Sequence, residues 1–369
     1  MMKRAVSVLL LVAACKSGLS NDQVDLGSST EDLSRLGGTA DFGMGFDLSL
    51  PRDLATAAAC RGTSAPGVTY KLATDKLKLP SSSGSGAFTV DFDGDGKLEN
   101  QFKNLISVIS LAGLDVQGVI DAGIAAGDGI ELVSFTTTDT TNSTCVGVEA
   151  ISAQPHMTGA PPPRFDGTDV FFPSTPTGAQ LTGQLQGGKL ATTAPPLQSA
   201  ATEQSLQVRL NVGGGGLVLN LRGVHVEGTV SKIGGVWRIQ SGVLHGVISK
   251  TDIEGTIIPA FADLLTQTIH NDTIAGVPGD TAKAIIGLFE QKTGAASIAK
   301  CMVAANCCRV SPATCFIVPA EVSDSAIGGV LAPDVEVLDG SDHWAPKPGG
   351  KNVNAMSFGI GFSAVTASY

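Results

Sequence analysis

Carboxylates at alternating positions of a glycine-containing turn give this chain its one stretch of explicit coordination chemistry, Asp91-Phe-Asp93-Gly-Asp95-Gly-Lys97-Leu-Glu99-Asn100. Ca²⁺ takes roughly six to eight oxygens at about 2.4 Å, and alternate residues of a tight loop aim their side chains at one centre. Asp91, Asp93 and Asp95 fit the first, third and fifth places of such a loop, with Gly96 as the hinge. Lys97 would offer its backbone carbonyl at the seventh place, and Glu99 a closing carboxylate at the ninth. The competing reading is a solvated acidic turn between a strand and a helix.

The thiols come next. The chain has seven cysteines, an odd number that in an exported protein signals a free thiol, an intermolecular bridge or a modified residue. Cys15 directly follows a short basic start and the apolar run Ala5–Ala14, which reads as a signal peptide cut before a lipidated cysteine. Lipidation of Cys15 leaves Cys60, Cys145, Cys301, Cys307, Cys308 and Cys315, enough for three disulfides in an oxidising compartment. The last four lack the CxxC knuckles usual in zinc sites, so disulfides are expected there. Adjacent Cys307 and Cys308 call for separate partners, and Cys60–Cys145 is the natural remaining pair.

Other constellations are weaker. Asp334, Glu336, Asp339 and Asp342 precede His343 and Trp344 without the Asp-Gly rhythm, and read as a solvated loop. Gly183-x₄-Gly188-Lys189 nearly matches a P-loop, but Leu190 stands where a Mg²⁺-binding hydroxyl belongs and the flanks alternate as strands. His225 and His245 fall in predicted strands and could meet across a sheet, where a structural pair is expected over a metal site. Asp166 and Asp169 could join them in a hydrolase, though no catalytic motif supports it.

The elements that must position these groups are mostly strands. Gly is abundant at 46 residues, and only 5% of residues are aromatic and 16% charged, which favours a turn-rich β protein. The fold expected is α+β and mainly β, an antiparallel β-meander or sandwich covered by helices, with a small N-terminal strand-loop-helix module. Residues 1–14 form the signal peptide, 15–59 a disordered tether, 60–152 the small α/β module carrying the calcium-type loop, 153–178 a Pro-rich connection, and 179–369 the β-rich body.

Within the module, Ala87–Asp91 reads as a short strand, and Phe102, Leu105, Ile106 and Ile109 share one helix face. Asp115 caps a second helix to about Ala126, with Val116, Val119 and Ile120 inward. Strands follow at 130–138 and 145–152. Alternation runs on through the body to about residue 250, where Thr251-Asp-Ile-Glu254 is a capping-box pattern opening a helix to His270. Helices at 280–291 and up to Cys301 follow, and Ser357–Tyr369 closes the chain as a strand.

The loop departs from an EF-hand because the bidentate Glu of the twelfth place is Phe102 here. It is more similar to the shorter DxDxDG loops of dockerins and thrombospondin type 3 repeats, where an acidic residue closes the loop earlier. VDFDGDGKLEN, the Asp-Leu-rich tether and the ending APDVEV…SFGIGFSAVTASY together resemble a group of lipoproteins of myxobacteria and related bacteria. Glu99 stands where that group usually has Asp, and Lys103 where Gly is common. The resemblance implies a lipoprotein but brings no activity with it.

Removal of residues 1–14 takes away Lys3 and Arg4, leaving 22 basic against 34 acidic side chains and a net charge of −12. Such a surface repels polyanions, which excludes nucleic acid as a partner. The expectation is a cell-envelope protein, an outer-membrane lipoprotein held through lipidated Cys15. A structural Ca²⁺ site and a non-enzymatic structural or interaction role, toward envelope proteins or surface polymers, complete it. The alternatives are a carrier of apolar ligand in a β-walled cavity and a secreted-type hydrolase; a membrane-spanning barrel is disfavoured by the scarcity of Tyr and Trp.

Overall fold

The computed structural model describes residues 60–81, 87–111, 115–154, 161–174, 179–212, 215–290, 295–341 and 343–369. The signal peptide, Cys15 and the tether lie outside them. The strands are β1 (Val68–Lys78), β2 (Glu131–Thr137), β3 (Ser143–Ser152), β4 (Ala179–Gln186), β5 (Lys189–Thr192), β6 (Leu206–Val212), β7 (Gly215–Ile233), β8 (Val236–Ser249), the two-residue pair β9 (Thr273–Ile274) and β10 (Val277–Pro278), and β11 (Ala355–Thr366). The helices used below are α1 (Phe102–Leu111), α2 (Val116–Ala126), α3 (Lys250–Asp252), α4 (Ile258–Asn271), α5 (Asp280–Phe289) and α6 (Ala295–Cys301). No described helix is long and apolar enough to cross a membrane.

The main sheet runs β5-β4-β3-β2-β1-β11-β8-β7-β6, and β5 also pairs with β7. That extra pairing closes eight antiparallel strands into a barrel, so the expected meander or sandwich is corrected to a barrel. β7 is long enough to serve two neighbours in succession. Its first part pairs with β6 (Leu206↔Leu221), and the part after Arg222 pairs with β8 and β5. Closure pairs the outer edge of β5, which an open sheet would leave exposed, while β6 stays as the end strand beside β7.

The small module expected at 60–152 does not stand apart. β1 pairs with β11, the last described strand, through Leu72↔Thr366 to Lys78↔Gly361, and the described residues from Cys60 to Tyr369 belong to one compact unit. β1 is a strand the sequence reading passed over. Val68, Tyr70 and Leu72 alternate with Thr69 and Lys71, but the register shifts between Thr74 and Lys76 and breaks the pattern.

Side chains alternate across the barrel wall. Leu72, Val133, Phe135, Val148, Leu181, Leu190, Val226, Ile239, Leu244 and Ile360 belong to one buried cluster, joined by Phe102, Leu105, Ile120, Ile124, Phe261, Leu265 and Ile285 from the helices. The buried cluster therefore draws on strands and helices together. Next to inward residues stand exposed Gln180, Gln186, Lys189, Thr229 and Gln240. A lipid-facing barrel alternates the other way, apolar outside and polar within.

Helix ends follow local chemistry. Asp115 Oδ1 accepts from the Gly118 amide at 2.9 Å and starts α2. Val119, expected inward, is 42% exposed, and Ile124 is buried in its place. Gln117 clamps α2 to the end of β1, donating to the Leu77 carbonyl at 2.9 Å and accepting from the Leu79 amide at 2.8 Å. After β8 the cap is Ser249, accepting from Asp252 N at 3.1 Å, two residues before the expected Thr251. A π-helical stretch, Ile253–Ile257, then leads into α4.

Disulfides join Cys60 to Cys145, Cys301 to Cys307 and Cys308 to Cys315.

Candidate metal centre

Residues 87–100 lie on the outer wall of the barrel, and the ending Phe358-Gly-Ile-Gly361 makes room for them. A Cβ on Gly359 would sit 2.1 Å from the Phe88 carbonyl oxygen, and one on Gly361 would sit 2.5 Å from the Phe88 ring. Only glycine lets the segment approach so closely. Asn100, 3% exposed, donates from Nδ2 to the carbonyls of Ala87 (2.7 Å), Phe88 (3.0 Å) and Gly359 (3.1 Å). Gln101 N donates to Ser357 Oγ at 2.7 Å, and the Phe102 ring packs on Phe358 inside. The acidic loop and the C-terminal strand, 256 residues apart in sequence, are thus one structural unit.

The loop itself is closed by a single antiparallel bridge between Val90 and Glu99, where the expected strand Ala87–Asp91 contributes only Val90. Asp91 accepts from the amides of Gly94 (2.7 Å) and Gly96 (3.0 Å), and Asp93 from Asp95 N (3.0 Å) and Gly349 N (3.2 Å). Asp95 accepts from Lys97 N at 2.8 Å and pairs with the Lys97 ammonium. Glu99 accepts from Phe92 N at 3.2 Å. Phe92 is fully buried and fixes the loop in an outer apolar cluster with Val247, Val335, Val337, Leu338, Trp344 and Ala355.

One carboxylate oxygen from each of Asp91, Asp93, Asp95 and Glu99 lies within 4.8 Å of the others. Burial pushes the Glu99 carboxyl up to about 7, and the charges of Asp93, Asp91 and Asp95 add to the shift against the opposing Phe92 hydrogen bond. The Lys97 side chain, bonded to Asp95, holds that carboxyl below its usual range. The donor set is all oxygen and anionic, which suits a hard divalent cation.

The remaining candidates are dispersed. Asp334 bonds Ser357 N at 2.7 Å and its hydroxyl, Glu336 pairs with Lys347 at 2.8 Å, and Asp339 caps the Ser341 amide at 2.8 Å. Each carboxylate is committed to a different partner. Asp342 is outside the described residues. Gly187 and Gly188 take positive φ as the turn of the β4–β5 hairpin, with Lys189 opening β5, so no phosphate-binding helix follows.

His225 and His245 are directly opposed on β7 and β8, their rings parallel at 6.0 Å. His225 Nε2 meets Glu227 at 2.7 Å, while burial first, and the neighbouring His225 second, lower the His245 pKa to about 3. Asp169 is engaged by the amides of Arg164 (3.0 Å) and Phe165 (2.6 Å), and Asp166 by Thr168. Among the described residues no hydrogen bond joins these carboxylates to either histidine.

The sequence reading missed a buried ionic cluster in the disulfide-rich segment. Lys300 Nζ reaches Glu290 at 2.7 Å and Glu321 at 2.6 Å, with both carboxylates fully buried. Buried Lys and Glu occur almost only when paired, but residues so distant in sequence carry no local pattern. Comparison with protein families, with curated proteins and with solved structures yields no match.

Proposed function

We propose that the chain is a lipid-anchored cell-envelope protein whose barrel body carries one structural Ca²⁺ site and serves a non-enzymatic structural or interaction role. The observation that carries the metal reading is the convergence of Asp91, Asp93, Asp95 and Glu99 within 4.8 Å, on a loop pinned by Asn100 and Phe92. Four carboxylates so placed repel one another, and a divalent cation turns that repulsion into attraction. The Lys97 carbonyl would add a ligand from the same turn. The ion would tie the loop to the Gly349 segment through Asp93, stiffening the wall around β8 and β11.

The anchoring reading is supported by the pairing of the other six cysteines, which leaves Cys15 as the odd one. The large buried apolar cluster shared by strands and helices favours a packed body over a carrier. Isothermal titration of metal-free protein with CaCl₂ tests the site. One ion per chain is expected, with Asp93→Asn weakening binding at least tenfold, and heats indistinguishable from dilution would refute it. Mass spectrometry of the mature N-terminal peptide tests the anchor, with a diacylglycerol adduct on Cys15 expected and an unmodified thiol counting against it.

A further inference from the structure

A second constellation of metal-ligating atoms lies at Glu290, in the disulfide-rich segment. Cys301 Sγ, Cys307 Sγ and one Glu290 carboxylate oxygen lie within 4.8 Å of one another. The two oxygens of Glu290 have separate surroundings. Oε1 accepts from Lys300 Nζ and from the Cys308 amide, both at 2.7 Å. Oε2 accepts from the Arg309 amide at 2.9 Å and faces the two sulfurs, 3.8 Å from Cys301 and 3.5 Å from Cys307.

A disulfide has no proton to offer that oxygen, whereas thiols would be donors and thiolates with a cation between them would complete a coordination set. Lys300, itself fixed by Glu321 (2.6 Å) and the Phe316 carbonyl (2.6 Å), holds Glu290 in place without using Oε2. Cys307 is buried and Cys301 half-buried, which leaves one side open to a reductant and an ion.

We propose that Glu290, Cys301 and Cys307 form a redox-gated site for a thiophilic divalent cation of the Zn²⁺ class. A dithiol reductant breaks the Cys301–Cys307 bond, each sulfur gaining one proton while the reductant becomes a disulfide. The cation then displaces both protons to water and is held by two thiolates and Glu290 Oε2, with its fourth position open to solvent. Tetrahedral Zn²⁺ with sulfur and oxygen ligands needs donor separations of roughly 3.3–3.8 Å; Glu290 Oε2 already stands 3.8 and 3.5 Å from the sulfurs, and the two sulfurs reach that range by parting from their bond once reduced. A disulfide oxidant reverses the step, taking two electrons and two protons to become a pair of thiols while the Cys301–Cys307 bond re-forms and the ion is released. The Asp91–Glu99 loop has no sulfur, so the two sites select different metals.

The test uses the full chain with Cys308→Ala and Cys315→Ala, which removes the neighbouring thiols, and Co²⁺ as the probe. In reduced protein one Co²⁺ per chain is expected, with a near-ultraviolet sulfur-to-cobalt charge-transfer band, and none in oxidised protein. Cys301→Ser should abolish the band, and Glu290→Gln should preserve it at a Co²⁺ concentration at least tenfold higher. Circular dichroism monitors the fold throughout. A folded reduced protein without the band, a band surviving Cys301→Ser, an unchanged affinity in Glu290→Gln, or loss of the fold on reduction would each overturn the assignment.

Discussion

Two side chains on the outer wall determine how the acidic loop and the barrel respond to solution conditions. Asn100 satisfies three carbonyls at once, two in its own segment and one on β11. Asn100→Ala strands those buried acceptors, a loss of about 1–3 kcal/mol, and urea titration should show it together with weaker Ca²⁺ binding. His245 answers to pH. Its pKa is about 3 in the fold against 6.5 for a free imidazole, so the folded state refuses a proton that the unfolded chain accepts. Its contribution is complete above the unfolded value and is lost as pH falls from about 6.5 toward 3, up to about 4–5 kcal/mol. His245→Leu should flatten the stability profile between pH 6.5 and 5, a window above most carboxylate titrations. Identical slopes in the two proteins would mean that His245 takes up its proton in the fold as it does in the unfolded chain.

At the scale of elements, the structure turns on close approach between the 87–100 segment and β11. Gly359→Ala forces the Phe88 carbonyl away and should cost about 1–3 kcal/mol by overpacking, with a parallel loss of Ca²⁺ affinity because the loop follows Phe88. The same substitution at Gly255 on the π-helical stretch, where an added Cβ meets nothing within 4 Å, serves as the control. The convergence of Asp91, Asp93, Asp95 and Glu99 was legible in the sequence because carboxylates at short, regular spacing in a tight turn face one centre. α1, α2 and α5 were legible for a similar reason, since their apolar periodicity is local. What fixes the loop in place was not. Phe92, Asn100, Gly349 and Gly359 meet across long sequence separations, and a glycine required by a neighbour's carbonyl looks the same in sequence as one in a turn. The two glutamates and the lysine of the buried cluster, Glu290, Lys300 and Glu321, went unread in the sequence for the same reason.

For the whole molecule, the barrel is closed by pairings that join the two ends of the described chain, β1 with β11, and bridge β5 to β7. Most strands of the body were readable from alternation, but β1 and the closure were not, because closure depends on which strands meet rather than on which residues form them. The three disulfides divide unequally in what they constrain. Cys60–Cys145 spans a sequence separation of 85 and ties the segment before β1 to β3, while Cys301–Cys307 spans 6. By loop entropy, removing the first should cost about 4.6 kcal/mol and the second about 2.4 kcal/mol. Chemical denaturation of the paired Cys→Ala variants measures both, and equal losses would mean that the long loop is already constrained in the unfolded chain. If the acidic loop holds Ca²⁺ and so stiffens the barrel wall, differential scanning calorimetry registers the ion as a raised unfolding midpoint. Binding to the folded state alone adds about 2.7 kcal/mol at a hundredfold excess over Kd, so the midpoint in millimolar CaCl₂ should exceed that in EDTA by several degrees, with the gain abolished in Asp91→Asn/Asp93→Asn. The same midpoint in EDTA and in CaCl₂ would contradict the account.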